Sequence, residues 1–213
     1  MTNSTLSLLL IIFLLSLLTG CNSGPEVVKE KKEFTKVDSM FTALDDTDVD
    51  FINQLTFNGD FNILEYLYYY NGGGVAIGDI NNDGLADIFF SGNEVSNKIY
   101  LNKGYFKFED ITKKAGLNTE NTWSTGVSMV DINNDGWLDI YVCVLGDFKI
   151  YHGNNLLYIN QKDGTFLESA AAYGLNFSGL STHSAFFDYD LDGDLDMYLL
   201  NHSFHGVRVY IME

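Results

Sequence analysis

The chain contains three copies of one nine-residue acidic loop, at residues 79–87, 131–139 and 188–196. In each copy, side chains that carry oxygen occupy loop positions 1, 3, 5 and 9, and Gly at position 6 permits a sharp turn. Ca²⁺ is a hard cation that collects oxygen ligands, and this spacing of oxygens around a turn suits it. The sequence therefore predicts a repeat protein that binds calcium.

The predicted ligands follow one rule, with side-chain oxygens at positions 1, 3, 5 and 9 and the backbone carbonyl at position 7. They are Asp79, Asn81, Asp83, Leu85 and Asp87 in the first loop, Asp131, Asn133, Asp135, Trp137 and Asp139 in the second, and Asp188, Asp190, Asp192, Asp194 and Asp196 in the third. The third loop has Asp rather than Asn at position 3. Because affinity for Ca²⁺ depends on the number of charged ligands, we expect the third loop to bind it most tightly.

An EF-hand loop begins with a similar acidic pattern, but it needs a bidentate Glu at position 12 and a helix on either side. Position 12 is Phe90, Val142 and Leu199 in the three loops. Each loop is flanked instead by short runs rich in β-branched and aromatic residues, which favour strands. The loops are therefore predicted to connect the strands of β-hairpins, with the Asp at position 9 as the closing ligand.

The similarity extends beyond the loops. The first Asp of the loop recurs after 52 residues, from 79 to 131, and after a further 57, from 131 to 188. Between loops, the pattern Asn-x-x-Tyr-x-Asn at residues 97–102 returns at 155–160, and the additional residues lie within 144–153. A repeat of this length, with about four short strands and turn residues between them, is typical of a β-propeller blade.

These motifs resemble the FG-GAP repeat, also called the VCBS or integrin-alpha-type repeat. The resemblance rests on Gly-Gly-Val-Ala-Ile-Gly-Asp at residues 73–79, the Asn-x-x-Tyr-x-Asn pattern and the Gly-Leu pair at 116–117. It covers roughly residues 40–213. It implies an all-β fold of propeller-type blades, each with about four antiparallel strands.

The third repeat departs from this pattern, because His183 stands where Gly74 and Gly126 stand in the first two. Its residues 182–188 and 199–202 further resemble bacterial propeller lipoproteins that often carry a C-terminal ASPIC/UnbV domain. A propeller closes with typically four to eight blades, whereas the sequence holds two complete repeats and the start of a third. We therefore expect an incomplete propeller and a fragment of a longer protein.

The net charge of −17, from 29 acidic and 12 basic residues, bears on the partners. Ten Asp side chains belong to the predicted ligand sets, and their mutual repulsion predicts loops that Ca²⁺ tightens. Nucleic acid is not an expected partner, because the chain lacks the basic stripe that neutralises phosphates.

The N-terminus predicts export. Residues 6–18 form a 13-residue apolar run broken by two Ser, too short for a spanning helix and typical of a signal-peptide core. Leu-Thr-Gly-Cys at 18–21 resembles a bacterial lipobox, in which the Cys is lipidated. We expect a signal peptide at 1–20, a lipidated Cys21 with a flexible tether at 21–38, and the repeat region at 39–213. Plain secretion and a retained signal anchor remain alternatives.

Catalytic motifs are absent from the sequence: it has no G-x-S-x-G elbow, no Gly-Lys-Ser/Thr phosphate loop and no meaningful Cys–His spacing. The glycines at 72–74 follow a strand-like run at 66–70 and open no helix, so they predict a hairpin turn. Cys143 lies in an apolar run and is predicted to be a buried strand residue. His183, His202 and His205 could be imagined as a metal site, but their spacing favours surface or turn positions.

Aromatic residues allow two interpretations, a binding face for protein or carbohydrate and the filling of cores between blades, of which the second is the commoner. They are Tyr66, Tyr68, Tyr69, Tyr70, Trp123, Trp137 and Tyr189. We expect a calcium-stabilised binding or adhesion scaffold in the bacterial cell envelope, lipid-anchored at the outer membrane or cell surface, and no enzyme. The alternatives are an accessory region of a larger secreted enzyme and a subunit of an outer-membrane uptake or assembly complex.

Overall fold

The computed structural model describes residues 43–56, 59, 61–120 and 122–203. These residues belong almost entirely to one compact unit, Leu44–Glu213. The predicted signal peptide, the tether with Cys21, and His205 lie outside the described residues.

Three antiparallel sheets follow one another along the described chain. The first contains β1 (Val75–Gly78), β2 (Asp87–Phe90), β3 (Lys98–Asn102) and β4 (Phe108–Asp110). The second contains β5 (Ser124–Val130), β6 (Asp139–Val144), β7 (Leu156–Asn160) and β8 (Phe166–Glu168). The third is a hairpin of β9 (Ser181–Phe187) and β10 (Asp196–Asn201). The predicted fold class, blades of four antiparallel strands in an incomplete propeller, is confirmed.

Each acidic loop connects the first two strands of its sheet, as predicted. The strand pairs close on the loops at Gly78 with Asp87, at Val130 with Asp139 and at Phe187 with Asp196. The last residue of each loop is therefore also the first residue of a strand. This places all three loops at the same end of their strands.

The second sheet is buried on both faces. Its Val127 and Ile140 pack with Ala76, Phe89 and Ile99 of the first sheet. Residues on its other face pack against Phe186, Met197 and Leu199 of the β9–β10 hairpin, and they are Tyr141, Cys143 and Leu157. Burial of one such large apolar side chain contributes about 1.5–3 kcal/mol, so these two interfaces hold the blades together.

The first strands of neighbouring sheets approach each other closely. A Cβ atom on Gly74 would lie 2.8 Å from the carbonyl oxygen of Thr125, and one on Gly126 would collide with the carbonyl oxygen of Thr182. Across the second of these contacts, the Thr125 hydroxyl donates to the Ser181 carbonyl at 2.8 Å. The two glycines permit this approach, and the exposed His183, at the corresponding place in β9, lies directly against Gly126.

An extended segment at residues 44–56 lies against the outer face of the first sheet. The ring of Phe51 stacks on Phe90 with 5.0 Å between centroids. The Asp50 carboxylate accepts hydrogen bonds from Lys98 Nζ at 2.7 Å and from the Tyr100 hydroxyl at 2.6 Å. Both hydrogen bonds lower the pKa of Asp50, and the one from Lys98 has the larger effect.

Two one-turn helices, α1 (Thr112–Ala115) and α2 (Ala170–Tyr173), explain the repeated Gly-Leu pair. Gly116 and Gly174 end them with left-handed φ angles of 79° and 71°. A left-handed residue after the last turn favours Gly, because other side chains crowd the following carbonyl. The repeated Gly-Leu pair therefore marks the ends of two helices, although the helices themselves were not predicted from the sequence.

The strand-like interpretation of residues 66–70 is wrong, because these residues form successive turns. Tyr66, Tyr68 and Tyr69 pack instead into an aromatic cluster, where Phe61, Tyr66, Tyr69 and Trp123 are almost fully buried. Strand propensity in such a run reflects fit to a half-buried surface, which the cluster also offers.

The other aromatic residues and the cysteine differ in their burial. Tyr70 and Tyr189 are exposed, and Trp137 is half-buried. Cys143 is a fully buried residue of β6, as predicted, and its burial raises the pKa of the thiol to about 12. A thiol with so high a pKa is a poor nucleophile at neutral pH.

Candidate metal centre

The first Asp of each acidic loop accepts hydrogen bonds from two backbone N–H groups of the same loop. The two oxygens of Asp79 accept the backbone N–H groups of Asp83 at 3.1 Å and Gly84 at 2.8 Å. Asp131 does the same at 2.9 and 2.8 Å, and Asp188 at 3.2 Å to both groups. The same bonds recur in all three copies, so the loops share one conformation.

Two positions in each loop adopt a left-handed backbone. Gly at position 6 has φ angles of 86°, 84° and 95° in the three copies. Position 4 is also left-handed, at Asn82, Asn134 and Leu191, with φ angles of 57°, 54° and 63°. Asn tolerates this conformation far better than Leu, because its short polar side chain bonds locally. The first requirement was predicted from the sequence and the second was not.

Positions 3 and 5 complete the inner turn of the loop. The Asn81 side-chain oxygen accepts the Asp83 N–H at 3.1 Å, and Asp83 Oδ1 accepts the Leu85 N–H at 2.8 Å. The second loop repeats both bonds, at 3.1 Å and 3.0 Å. These contacts direct the oxygens of positions 1, 3 and 5 around one turn, as the ligand pattern requires.

The Asp at position 9 has a structural role that the sequence interpretation missed. Asp87 is fully buried, and its oxygens accept the N–H of Ile80 at 3.0 Å and of Asn102 at 2.8 Å. Burial raises its pKa, although these two hydrogen bonds oppose the shift. The carboxylate therefore ties the loop to β3 as well as facing the turn.

The second loop has the same arrangement. Buried Asp139 accepts the N–H of Ile132 at 3.2 Å and of Asn160 at 2.8 Å, and burial again raises its pKa. The side-chain amide of Asn160 also donates to the Ile80 carbonyl at 2.8 Å. This hydrogen bond joins the second sheet to the first loop. The repeated Asn of the Asn-x-x-Tyr-x-Asn pattern was the available sequence signal.

The third loop brings its carboxylates closest together. One oxygen each of Asp188, Asp190 and Asp196 lies within 4.8 Å of the others, and this is the one such cluster among residues 43–203 that are described. Asp192 lies nearby. Its pKa is lowered, and the largest cause is the hydrogen bond that it accepts from the backbone N–H of Asp194. The pKa of the Asp194 side chain is raised, and the largest cause is its hydrogen bond with the Asp192 side chain.

In the second loop a lysine approaches the predicted ligands. Lys162 Nζ lies 3.2 Å from Asp135 Oδ2, and the pKa of Asp135 is lowered although desolvation opposes the shift. This oxygen also accepts from the Asn133 amide at 3.1 Å. In the third loop the converging carboxylate oxygens could hold a hard cation. A cation in the second loop would share Asp135 with Lys162.

Histidines do not assemble into a site within the described part of the chain. His152 Nδ1 lies 3.1 Å from Asp147, while His202 Nε2 lies 2.7 Å from the Tyr66 hydroxyl. His183 is exposed on β9. The expectation of surface or turn histidines fits the exposed His152 and His183 but not His202, which is half-buried against Tyr66 and Tyr68.

The chain belongs to the FG-GAP-like repeat family. Residues 79–142 and 144–199, more than half of the chain, match the family. The family assignment and the observed blades together define a protein built of FG-GAP-like β-sheet repeats.

Curated relatives are similar over part of their length. The chain is 28% identical to cartilage acidic protein 1 of Xenopus tropicalis over 138 residues, which are 65% of this chain and 21% of the frog protein. It is 32% identical to the Homo sapiens protein of the same name over 91 residues, 43% of this chain and 13% of the relative. The chain thus spans about a fifth or less of the length of these relatives.

Among the described residues, no helix combines the length and the apolar character needed to cross a bilayer.

Proposed function

We propose that this chain is a calcium-binding repeat scaffold of the bacterial cell envelope that acts as a binding or adhesion module. The observation that carries the proposal is the cluster of Asp188, Asp190 and Asp196, whose oxygens converge within 4.8 Å inside a loop that occurs three times. Repeated blades that present loops on one side suit a binding scaffold, because rigid sheets position the loops.

Each loop would hold one Ca²⁺ through the oxygens at positions 1, 3, 5 and 9 and the carbonyl at position 7. The bound ion would offset the repulsion among carboxylates that the fold gathers in a small volume. Asp79, Asp131 and Asp188 already orient both oxygens through backbone N–H groups, so little reorganisation would be needed. Calcium in this proposal is structural, since the loop oxygens are used on the ion and no paired base stands beside them in the described part of the chain. We propose no enzymatic activity for this region.

A calcium titration by calorimetry tests the metal part. Wild-type protein should bind three Ca²⁺ and Asp192→Ala should bind two. Asp163→Ala is the matched control, because Asp163 is an exposed turn residue that bonds only with nearby Thr165 among described residues. Absence of saturable binding, or an equal loss in the control, would contradict the proposal.

The envelope part concerns Cys21. Acyl chains on this residue would anchor the protein, at about 0.8 kcal/mol for each buried CH₂ group. Expressed in a bacterium, the wild-type protein should fractionate with membranes and label with a fatty acid, whereas Cys21→Ala should do neither. Membrane association that persists in Cys21→Ala would refute lipid anchoring through this residue.

A further inference from the structure

The scaffold has a cavity of about 170 Å³ at the end of the strands opposite the acidic loops. It lies where β1, β5 and β9 begin, beside Gly74, Thr125 and Thr182. The acidic loops follow the other ends of these strands. The cavity is therefore separate from the candidate calcium sites.

Three aromatic side chains form part of its wall. Tyr66 and Trp123 are 4% and 1% exposed and have 5.9 Å between their ring centroids, while Tyr68 is half-buried with its ring 5.8 Å from that of Tyr66. Tyr66 and Trp123 are thus largely covered by neighbouring rings, and Tyr68 is the aromatic residue of this wall with an accessible face. A flat apolar face with a polar edge suits a ring that is apolar on its faces and polar at its rim.

His202 holds two of these walls in place. Its ring stacks on Tyr68 with 3.9 Å between centroids, and its Nε2 lies 2.7 Å from the Tyr66 hydroxyl. Side chains fixed by neighbours lose less freedom when a ligand binds, so the cavity is pre-organised.

Polar groups complete the lining. The Asn71 side-chain amide and the backbone groups of Gly73 have no hydrogen-bond partner within the described residues, and both residues line the cavity. Thr125 and Thr182 use their hydroxyl hydrogens on carbonyl groups, so each oxygen retains a lone pair that can accept. The wall thus offers both donors and acceptors.

Among the described residues, the lining contains no Asp, Glu, Lys or Arg, although the chain carries 29 acidic residues. A neutral ligand fits this wall better than an ion, because no opposite charge is present to offset the desolvation of a charged group. The volume is below the range of about 300–1,000 Å³ for drug-sized ligands. A single ring is therefore the appropriate size.

A strand irregularity shapes the same wall. The pairing of β5 with β6 shifts between Ser124 and Val127, which leaves Thr125 and Gly126 as a bulge. Bulges redirect the backbone and are frequent beside functional sites. Here the bulge turns Thr125 and Gly126 to the cavity.

We propose that this cavity binds a neutral monosaccharide ring, with the accessible face of Tyr68 contacting its C–H groups and Asn71 and Gly73 bonding its hydroxyls. The inference rests on the proposed binding role of the scaffold and names the class of its ligand. For a ligand this small, we expect a dissociation constant on the order of 1–10 mM.

Trp123 provides the test. The chain has two Trp, so Trp137→Phe leaves Trp123 as the sole indole, inside the cavity wall. In this background, methyl α-glucoside, methyl α-galactoside, methyl α-mannoside and N-acetylglucosamine are titrated to about 50 mM while Trp123 fluorescence is recorded. At least one sugar should give a saturable change.

Variants decide whether the change arises in the cavity. Tyr68→Ala and Asn71→Ala should each weaken binding about tenfold or more, and Tyr70→Ala should not, because Tyr70 is 66% exposed and does not line the cavity. Asn71 is exposed, so its variant keeps the test valid if Tyr68→Ala fails to fold. No saturable change with any sugar, or an equal change in all variants, would overturn the proposal.

The titrations are repeated with Ca²⁺ and with chelator. Calcium binding without sugar binding would overturn this inference alone. Sugar binding without calcium binding would overturn the calcium proposal and leave the cavity assignment in place.

Discussion

The side-chain amide of Asn155 donates to the hydroxyl of Tyr141 at 3.0 Å, inside the interface between the second sheet and the β9–β10 hairpin. The same amide donates to Ser181 at 3.0 Å, and the Tyr141 hydroxyl donates to the Leu175 carbonyl at 2.9 Å. In the first repeat, the residue that corresponds to Tyr141 is Phe89. The corresponding amide nitrogen, Asn97 Nδ2, is buried and has no hydrogen-bond partner among the residues that the structure describes.

This difference predicts that Phe89→Tyr stabilises the protein. The new hydroxyl would give Asn97 Nδ2 an acceptor and would itself donate to the Leu117 carbonyl, as in the second repeat. We expect the free energy of unfolding to rise by about 1 kcal/mol in urea titrations. Tyr141→Phe is the reciprocal control and should lower it by about 1–2 kcal/mol. A destabilised Phe89→Tyr would show that the added oxygen does not fit.

Leu191 predicts a second stabilising substitution. It has a left-handed φ of 63° and is 85% exposed, whereas the first two loops have Asn at this position. Leu191→Asn should relieve strain without loss of burial and raise the free energy of unfolding by about 1 kcal/mol in chelator. Asn134→Leu should have the opposite effect, and thermal unfolding of the two variants would compare them. Equal melting temperatures for both variants and wild type would contradict this explanation.

Substitution of a buried loop carboxylate and of an exposed one should affect stability differently. Asp139→Ala leaves the part-buried N–H of Ile132 and the buried N–H of Asn160 without their acceptor, so it should cost about 3 kcal/mol even in chelator. Asp190→Ala removes an exposed side chain, so in chelator it should change stability by less than about 0.5 kcal/mol.

With Ca²⁺ present, Asp190→Ala should lose part of the calcium-dependent stabilisation. Urea titrations of both variants, with and without Ca²⁺, measure the difference. If Asp139→Ala were harmless in chelator, the structural role assigned to position 9 would be wrong.

The environment of His202 predicts a pH effect on stability. Burial lowers the pKa of His202 below its ordinary value, so the folded state binds a proton less readily than the unfolded state does. The free energy of unfolding should therefore be highest above about pH 6.5 and fall as the pH drops through that value. Urea midpoints between about pH 5 and 8 should show this fall in wild type and a smaller one in His202→Gln. Identical slopes in the two proteins would contradict it.

Local sequence patterns were sufficient to predict the hairpins and the blades. Gly84 and the oxygens around it act within one loop, and the flanking strands have their own propensities, so their structure depends little on distant residues. The buried position of Cys143 followed in the same way from its apolar run.

Other features depend on contacts between distant parts of the chain. Tyr66 and Tyr69 follow a pattern compatible with a strand, but their rings pack on Trp123, more than 50 residues away in sequence. The roles of Asn102 and Asn160 arise only when β3 and β7 lie beside the loops. A repeated Asn marks such a position in the sequence without revealing its partner.

The most direct test of the central claim is thermal unfolding of the full chain with Ca²⁺ and with chelator, for wild type and for Asp83→Ala, Asp135→Ala and Asp192→Ala. If the acidic loops are structural calcium sites, Ca²⁺ should raise the melting temperature by several degrees, because it binds only the folded state. The rise should shrink in each variant, most of all in Asp192→Ala. An identical melting temperature with Ca²⁺ and with chelator would contradict the account.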